Sequence, residues 1–158
     1  MRLAEYTDYS LRVLMYCARH AERRVTVAEL AERQGLARNN VMKIVADLAR
    51  HGLLETVRGR GGGVRLLRPA QEIRIGEVVR LSETDFRMAE CFDDVDGGKG
   101  CALAPGCRLR RLFAQALHAY LATLDGATLA DIAGLTDPRR VRGAGVAAPR
   151  TRRLAAAA

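Results

Sequence analysis

The sequence predicts a mainly α-helical fold with one small β-hairpin, and three observations carry that reading. Two segments before Gly52 repeat apolar side chains at i, i+3, i+4 and i+7 spacing: Leu11, Leu14, Met15 and Ala18, then Val41, Ile44, Val45 and Leu48. One pair of short aliphatic runs, LLETV and GVRLL, flanks a turn that contains Gly59, Gly61, Gly62 and Gly63. Late in the chain, CRLRRLFAQALHAYLATLDG keeps Leu109, Leu112, Phe113, Ala116, Leu117, Tyr120, Leu121 and Leu124 on one wide stripe over more than four turns.

Taken in order, the first helix is expected from about Thr7 to His20, with Thr7 or Asp8 near its cap. The second lies in TVAELAERQG, where Thr26 stands three residues before Glu29 in a capping-box pattern and Gly35 stops the run. The third is ARNNVMKIVADLARHG, ended by Gly52. The glycine-rich hairpin follows, its turn free to adopt positive φ. A helix-turn-helix followed by a basic hairpin is the winged helix-turn-helix arrangement, whose second helix enters the DNA major groove while the wing lies on the backbone or minor groove. IRIGEVVRLSET then reads as a short linking helix, and the late stripe as a long dimerisation helix. So long a stripe in so small a chain calls for the same helix of a second subunit, which implies a homodimer and a palindromic DNA site.

Charge agrees with this order. The net charge of +8 is unevenly spread: residues 1–68 carry 13 Lys and Arg against 7 Asp and Glu, whereas residues 69–136 carry 7 against 10. The basic first half is the part suited to a polyanion. Within it, Arg38, Asn39, Asn40 and Lys43 fall on the first turns of the recognition helix, away from its apolar stripe, where they can reach base edges or phosphates. Arg58, Arg60 and Arg65 flank the glycines of the wing. From about Thr136 the chain has no apolar periodicity and carries six Arg against Asp137, so a disordered basic tail with a weak, salt-sensitive attraction to nucleic acid is expected.

The composition, 49% hydrophobic and 28% charged over 158 residues, is that of a globular chain of one domain or two small ones. No run approaches the roughly 18 apolar residues of a membrane span, and charges interrupt the start MRLAEYTDYSLRVLMYCARH, so a cytoplasmic protein without a membrane partner is expected. In that reducing compartment four cysteines favour metal binding or free thiols over a disulfide framework. Three of them, Cys91, Cys101 and Cys107, share the glycine-rich acidic loop CFDDVDGGKGCALAPGC. Soft thiolates there suit zinc or an iron–sulfur cluster. The absence of a C-x₂₋₄-C pair disfavours zinc without excluding it, and a disulfide or inert thiols remain the alternatives. Glu90, Asp93, Asp94 and Asp96 make a thiolate site costly unless cations such as Lys99, Arg108, Arg110 and Arg111 stand nearby. Cys17 falls on the apolar first helix and is expected to be a buried structural thiol. With no CxxC pair and no substrate motif, an enzyme, whether a thiol oxidoreductase or a cluster-bearing electron carrier, is disfavoured.

EYTDYSLRVLMY, RNNVMKIV, GLLETVRGRGGGVRL, IRIGEVVR and the three-cysteine loop together resemble the family of winged-helix iron–sulfur transcriptional regulators, and within it the nitric-oxide-sensitive, NsrR-like repressors. The resemblance covers residues 1 to about 135. It implies a homodimer on palindromic double-stranded promoter DNA, with an iron–sulfur cluster, 4Fe-4S in the first place and 2Fe-2S as the alternative, held by Cys91, Cys101 and Cys107 of each chain. IscR-like members carry a histidine three residues after the last cysteine, where this chain has Arg110. NsrR-like members use an aspartate of the first helix, and Asp8 matches it. The resemblance further implies that Asp8 of one chain completes the cluster of the other, that Arg12 lies near the cluster, and that nitric oxide releases the DNA. A redox- or iron-responsive regulator of the same fold is the alternative. The expected organisation is a DNA-binding domain over residues 1–80, cluster loop and dimerisation helix over 81–135, and tail over 136–158.

Overall fold

A computed structural model describes residues 3–89 and 107–136. Cys91, Cys101, the acidic residues between them, Lys99 and the Arg-rich segment from Asp137 lie outside the described residues, as does the expectation of a disordered tail. The elements are α1 (Glu5–Arg19), α2 (Val27–Gln34), α3 (Arg38–Arg50), β1 (Leu54–Val57), β2 (Gly63–Leu66), α4 (Ile75–Ser82), α5 (Arg108–Asp125) and α6 (Leu129–Ile132). This is the mainly helical, winged helix-turn-helix architecture that the sequence predicts.

Helix α1 starts two residues earlier than its side chains suggest. Ala4, not Thr7 or Asp8, is the cap: its carbonyl accepts from the Thr7 and Asp8 amides, and its own amide donates to Glu83 at 2.8 Å. A long-range backbone contact thus sets the start, and Thr7 is buried inside the first turn. Helix α2 begins as expected, with the Thr26 hydroxyl accepting from the Glu29 amide. It ends on Gly35 at φ 64°, a left-handed conformation that costs glycine little and returns the Gly35 and Leu36 amides to the Ala31 carbonyl or its neighbour. That turn aims α3 away from α2.

The hairpin is antiparallel, with Leu54 opposite Leu66 and Val57 opposite Gly63. Val25, just before α2, adds a bridge to Val64 through two backbone hydrogen bonds of 2.9 and 2.8 Å, which fastens the wing to the helix-turn-helix. At the tip, a Cβ on Gly62 would run into the Val57 carbonyl and lie 2.8 Å from that of Gly59, so this turn accepts only glycine there. The core gathers Leu14, Leu30, Ile44, Leu53, Leu54, Ile73 and Leu129, all essentially inaccessible, and each contributes about 1.5–3 kcal/mol by burial. Helix α1 is its axis, packed against α2, α3, α4, α6 and β2.

Helix α6 has no counterpart in the sequence reading. It is four residues long, opened by a capping box between Thr128 and Asp131, and its approach pairs with the segment before α4 through Arg74 and Thr128. It buries Leu129 and Ala130 and so fastens the end of α5 to the core. Helix α5 itself packs chiefly on α4, where Arg80 holds Asp125 in a two-pronged ion pair. None of its 18 residues is buried. Phe113, Leu117, Tyr120, Leu121 and Leu124 are half-buried, whereas Leu109 and Leu112 are 53% and 59% exposed. The stripe is therefore divided between a side turned to its own chain and a side that the described residues leave uncovered. No helix of the described residues is long and apolar enough to cross a membrane.

Candidate functional site

Helix α3 buries Val41, Ile44, Val45 and Leu48 and turns Arg38, Asn39, Asn40 and Lys43 outward, all four exposed. Its first turn has no acidic residue, so Arg38 sits at the end of the helix where the backbone dipole is already positive, with Lys43 on the next turn. Such an arrangement repels cations and attracts phosphate oxygens. On the wing, Arg58 and Arg60 are exposed on either side of Gly59. Arg38, Lys43, Arg58 and Arg60 take part in none of the ion pairs among the described residues. Arg65 differs: it is exposed but reaches Glu55 directly across the hairpin, a pair the strand register imposes. An exposed cross-strand pair is worth only tenths of a kcal/mol, so Arg65 can exchange Glu55 for a phosphate at little cost.

Two side-chain ties hold α3 and the turn before it. Tyr6 of α1 donates to the Asp47 carboxylate near the far end of α3. Burial and that carboxylate push the Tyr6 phenol well above its ordinary range, while the phenol's hydrogen bond and then Arg50 hold the Asp47 carboxyl below its own. Arg12, also on α1, donates from Nη2 to the Gln34 carbonyl at 2.5 Å and from Nε to the Gln34 side chain at 3.2 Å, at the last residue of α2. The same guanidinium stands 3.5 Å from Asp8, one turn earlier, whose side chain is 58% exposed. Neither tie is visible as a motif, since each joins residues at least 22 positions apart.

The thiols divide cleanly. Cys17 is buried in the core beneath α1, and burial pushes its thiol up to about 12. At neutral pH that leaves roughly one molecule in 10⁵ as thiolate, the nucleophilic form. Treating the folded, metal-free protein with a maleimide at pH 7 should therefore leave Cys17 unmodified over hours while Cys107 reacts; mass spectrometry of the digest reads both, and rapid labelling of Cys17 would contradict its burial. Cys107 is half-buried, is not disulfide-bonded, and immediately precedes the first residue of α5. Arg108 and Arg111 are exposed on the first turn behind it, and Arg110, at the position of the IscR-like histidine, is half-buried.

These positions suit a metal cluster in chemistry. Cys107 offers an accessible soft donor at a positive helix end with cations behind it, and Asp8 offers an accessible carboxylate. Among the described residues no group of three or more His, Cys, Asp or Glu converges on one point; Cys91 and Cys101 stand outside them.

Residues 3–134 match the Rrf2 family, described as an iron-dependent transcriptional regulator. The chain is 44% identical over 134 residues to the HTH-type transcriptional regulator NsrR of Bacillus subtilis, covering 84% of this chain and 90% of that protein. It is equally similar, 44% over 132 residues and 84% of each chain, to Protein aau3 of Rhizobium meliloti. Among solved structures it resembles T. potens IscR with a TM-score of 0.67 at 24% identity, covering 88% of this chain and 90% of that one. The cysteine regulator CymR of B. subtilis gives the same TM-score and identity over 87% and 99%. Those two likenesses show the winged-helix fold; the family match and the relatives' identities show the kinship, and the chain belongs to the Rrf2 family of transcriptional regulators.

Proposed function

We propose that this regulator is a nitric-oxide-sensing repressor that binds palindromic promoter DNA as a homodimer while an iron–sulfur cluster, of the 4Fe-4S form, is held by Cys91, Cys101 and Cys107, with Asp8 of the partner chain as the oxygen ligand. The observation that carries the DNA-binding part is the row of exposed, unneutralised side chains on α3 and the wing tip. The likeness to NsrR supports the choice of signal. Arg110 in place of a histidine supports Asp8 as fourth ligand over a residue of α5. When bound, the cluster supplies iron to which nitric oxide can add.

The rest is done by the chain itself. Asp8 sits one turn from Arg12, and Arg12 grips the last residue of α2, next to the Gly35 turn that aims α3. A change in what Asp8 binds is felt first by its neighbouring guanidinium and then by that turn. The two states differ in the placement of α3, and so in DNA affinity, which is the differential interaction that coupling requires. Residues 137–158, with their six Arg, add a sequence-independent attraction to the DNA backbone.

A regulator of the same fold that reads iron supply or redox state is the second reading, favoured by the iron-dependent description of the family. One experiment separates them. Protein purified without oxygen is expected to be coloured, to bind operator DNA, and to lose both the absorption band and the DNA within a stoichiometric nitric oxide titration. Release of DNA on iron chelation but not on nitric oxide would select the second reading, and a colourless protein with stoichiometric zinc would sink both.

A further inference from the structure

Helix α3 carries one large apolar side chain that its packing does not use. Met42 is 53% exposed, although Val41 and Ile44 on either side of it are buried. It stands three residues after Asn39 and four before Ala46, both exposed, so these three share one outward face with Lys43 beside them. That face is the one the DNA-binding reading directs into the major groove, and the present inference rests on that reading. A solvent-exposed thioether between an amide and an ammonium group is costly to leave hydrated in the free protein. The major groove holds one apolar group of matching size, the C5 methyl of thymine; the other distinguishing groups on base edges there are hydrogen-bond donors and acceptors. Met is unbranched and flexible enough to reach a methyl group whose position is set by its polar neighbours.

We infer that Met42 is a specificity-determining residue of the operator contact, packing its thioether against a thymine methyl while Arg38, Asn39 and Lys43 bind the polar edges and phosphates around it. Asn39 and Arg38 then account for preference among hydrogen-bonding patterns, and Met42 for preference of thymine over cytosine at one position of each half-site.

The test uses the full-length holoprotein and an operator obtained by selecting from a random duplex library. Each thymine of that operator is replaced in turn by deoxyuridine, which lacks only the methyl group, in both half-sites. Wild type should lose about threefold to fivefold in affinity per half-site, and about tenfold to twenty-fivefold over the palindrome, at one symmetric position only, because roughly one methyl group's burial is removed. Met42→Ala should bind the thymine operator more weakly by a comparable factor and should no longer distinguish thymine from deoxyuridine at that position. Since Met42 is exposed, the variant's melting temperature should match wild type. Equal thymine preference in Met42→Ala and wild type would overturn the inference. So would a variant with changed oligomeric state and unchanged thymine preference, which would make Met42 a protein contact. If wild type selects no sequence and Arg38→Ala binds random DNA as well as wild type does, the DNA-binding reading itself falls, and the inference with it.

Discussion

Leu112→Asp, and more completely Leu109→Asp with Leu112→Asp, should leave a folded monomer that no longer holds operator DNA. Both leucines are more than half exposed in the single chain, and α5 has no buried residue, so a carboxylate there disturbs no packing within the subunit. Circular dichroism and the melting transition of the isolated domain should change little. Between two subunits the same carboxylates would face their symmetry mates and an apolar seam, where unpaired charge costs several kcal/mol. Losing the dimer separates the two half-site contacts. Linked binding of two modules exceeds either alone by 10²–10⁴, so a loss of about a thousandfold in operator affinity is expected. Sedimentation velocity and an operator titration on the same sample read both. A dimer that survives both substitutions would place the subunit contact elsewhere than on α5.

Much of this molecule is legible in its sequence, and the parts that are not share a cause. ARNNVMKIVADLARHG predicts helix α3, which is found over Arg38–Arg50, because its buried stripe and its glycine stop are local signals. The Thr26 cap and the Gly35 stop of α2 are local in the same way. The start of α1 is not: Ala4 caps it only because Glu83, 79 residues away, receives its amide. Helix α6 is too short for any periodic pattern, and its capping box reads as an ordinary turn until Arg74 is known to pair with Thr128. The spacing predicts the late stripe as one face, whereas the fold divides it into a half-buried side and an exposed side at Leu109 and Leu112.

The same distinction applies to the candidate site. Arg38, Asn39, Asn40, Lys43, Arg58 and Arg60 stand exposed where helical and hairpin periodicity put them. The Glu55 partner of Arg65 follows from strand register, which needs the hairpin to be built before the pair can be counted. Arg12 could be placed beside Asp8 by its i+4 spacing, but its grip on Gln34 depends on how α1 crosses α2 and has no signature in either segment. Met42 is legible as an outward position, since it lies between Val41 and Ile44 of the buried stripe and belongs to neither.

Cys107→Ala should empty the iron site while leaving a folded dimer, and Cys91→Ala and Cys101→Ala should do the same. Cys107 is half-buried at the start of α5, so loss of its sulfur removes little packing, and α5 keeps the apolar seam that begins two residues later at Leu109. What it removes is one of three thiolates. Replacing a soft anionic donor by a methyl group leaves too few protein ligands to retain iron against exchange. Iron content should fall from stoichiometric to near zero, and operator affinity should fall to that of wild type after nitric oxide, because on the proposed ligand set both treatments would free Asp8 from iron. Sedimentation should still report dimers. Monomers in all three variants would make the cluster, rather than α5, the main contact between subunits. Full iron content in any one of them would remove that cysteine from the ligand set. Cys17→Ala is the internal control: its thiol is buried and held protonated, so iron, colour and DNA binding should persist with at most about 1–2 kcal/mol lost from the fold. If Cys17→Ala instead lost its iron while Cys107→Ala kept it, the thiol that burial makes inert would be the ligand, and the assignment of the accessible cysteines would be reversed.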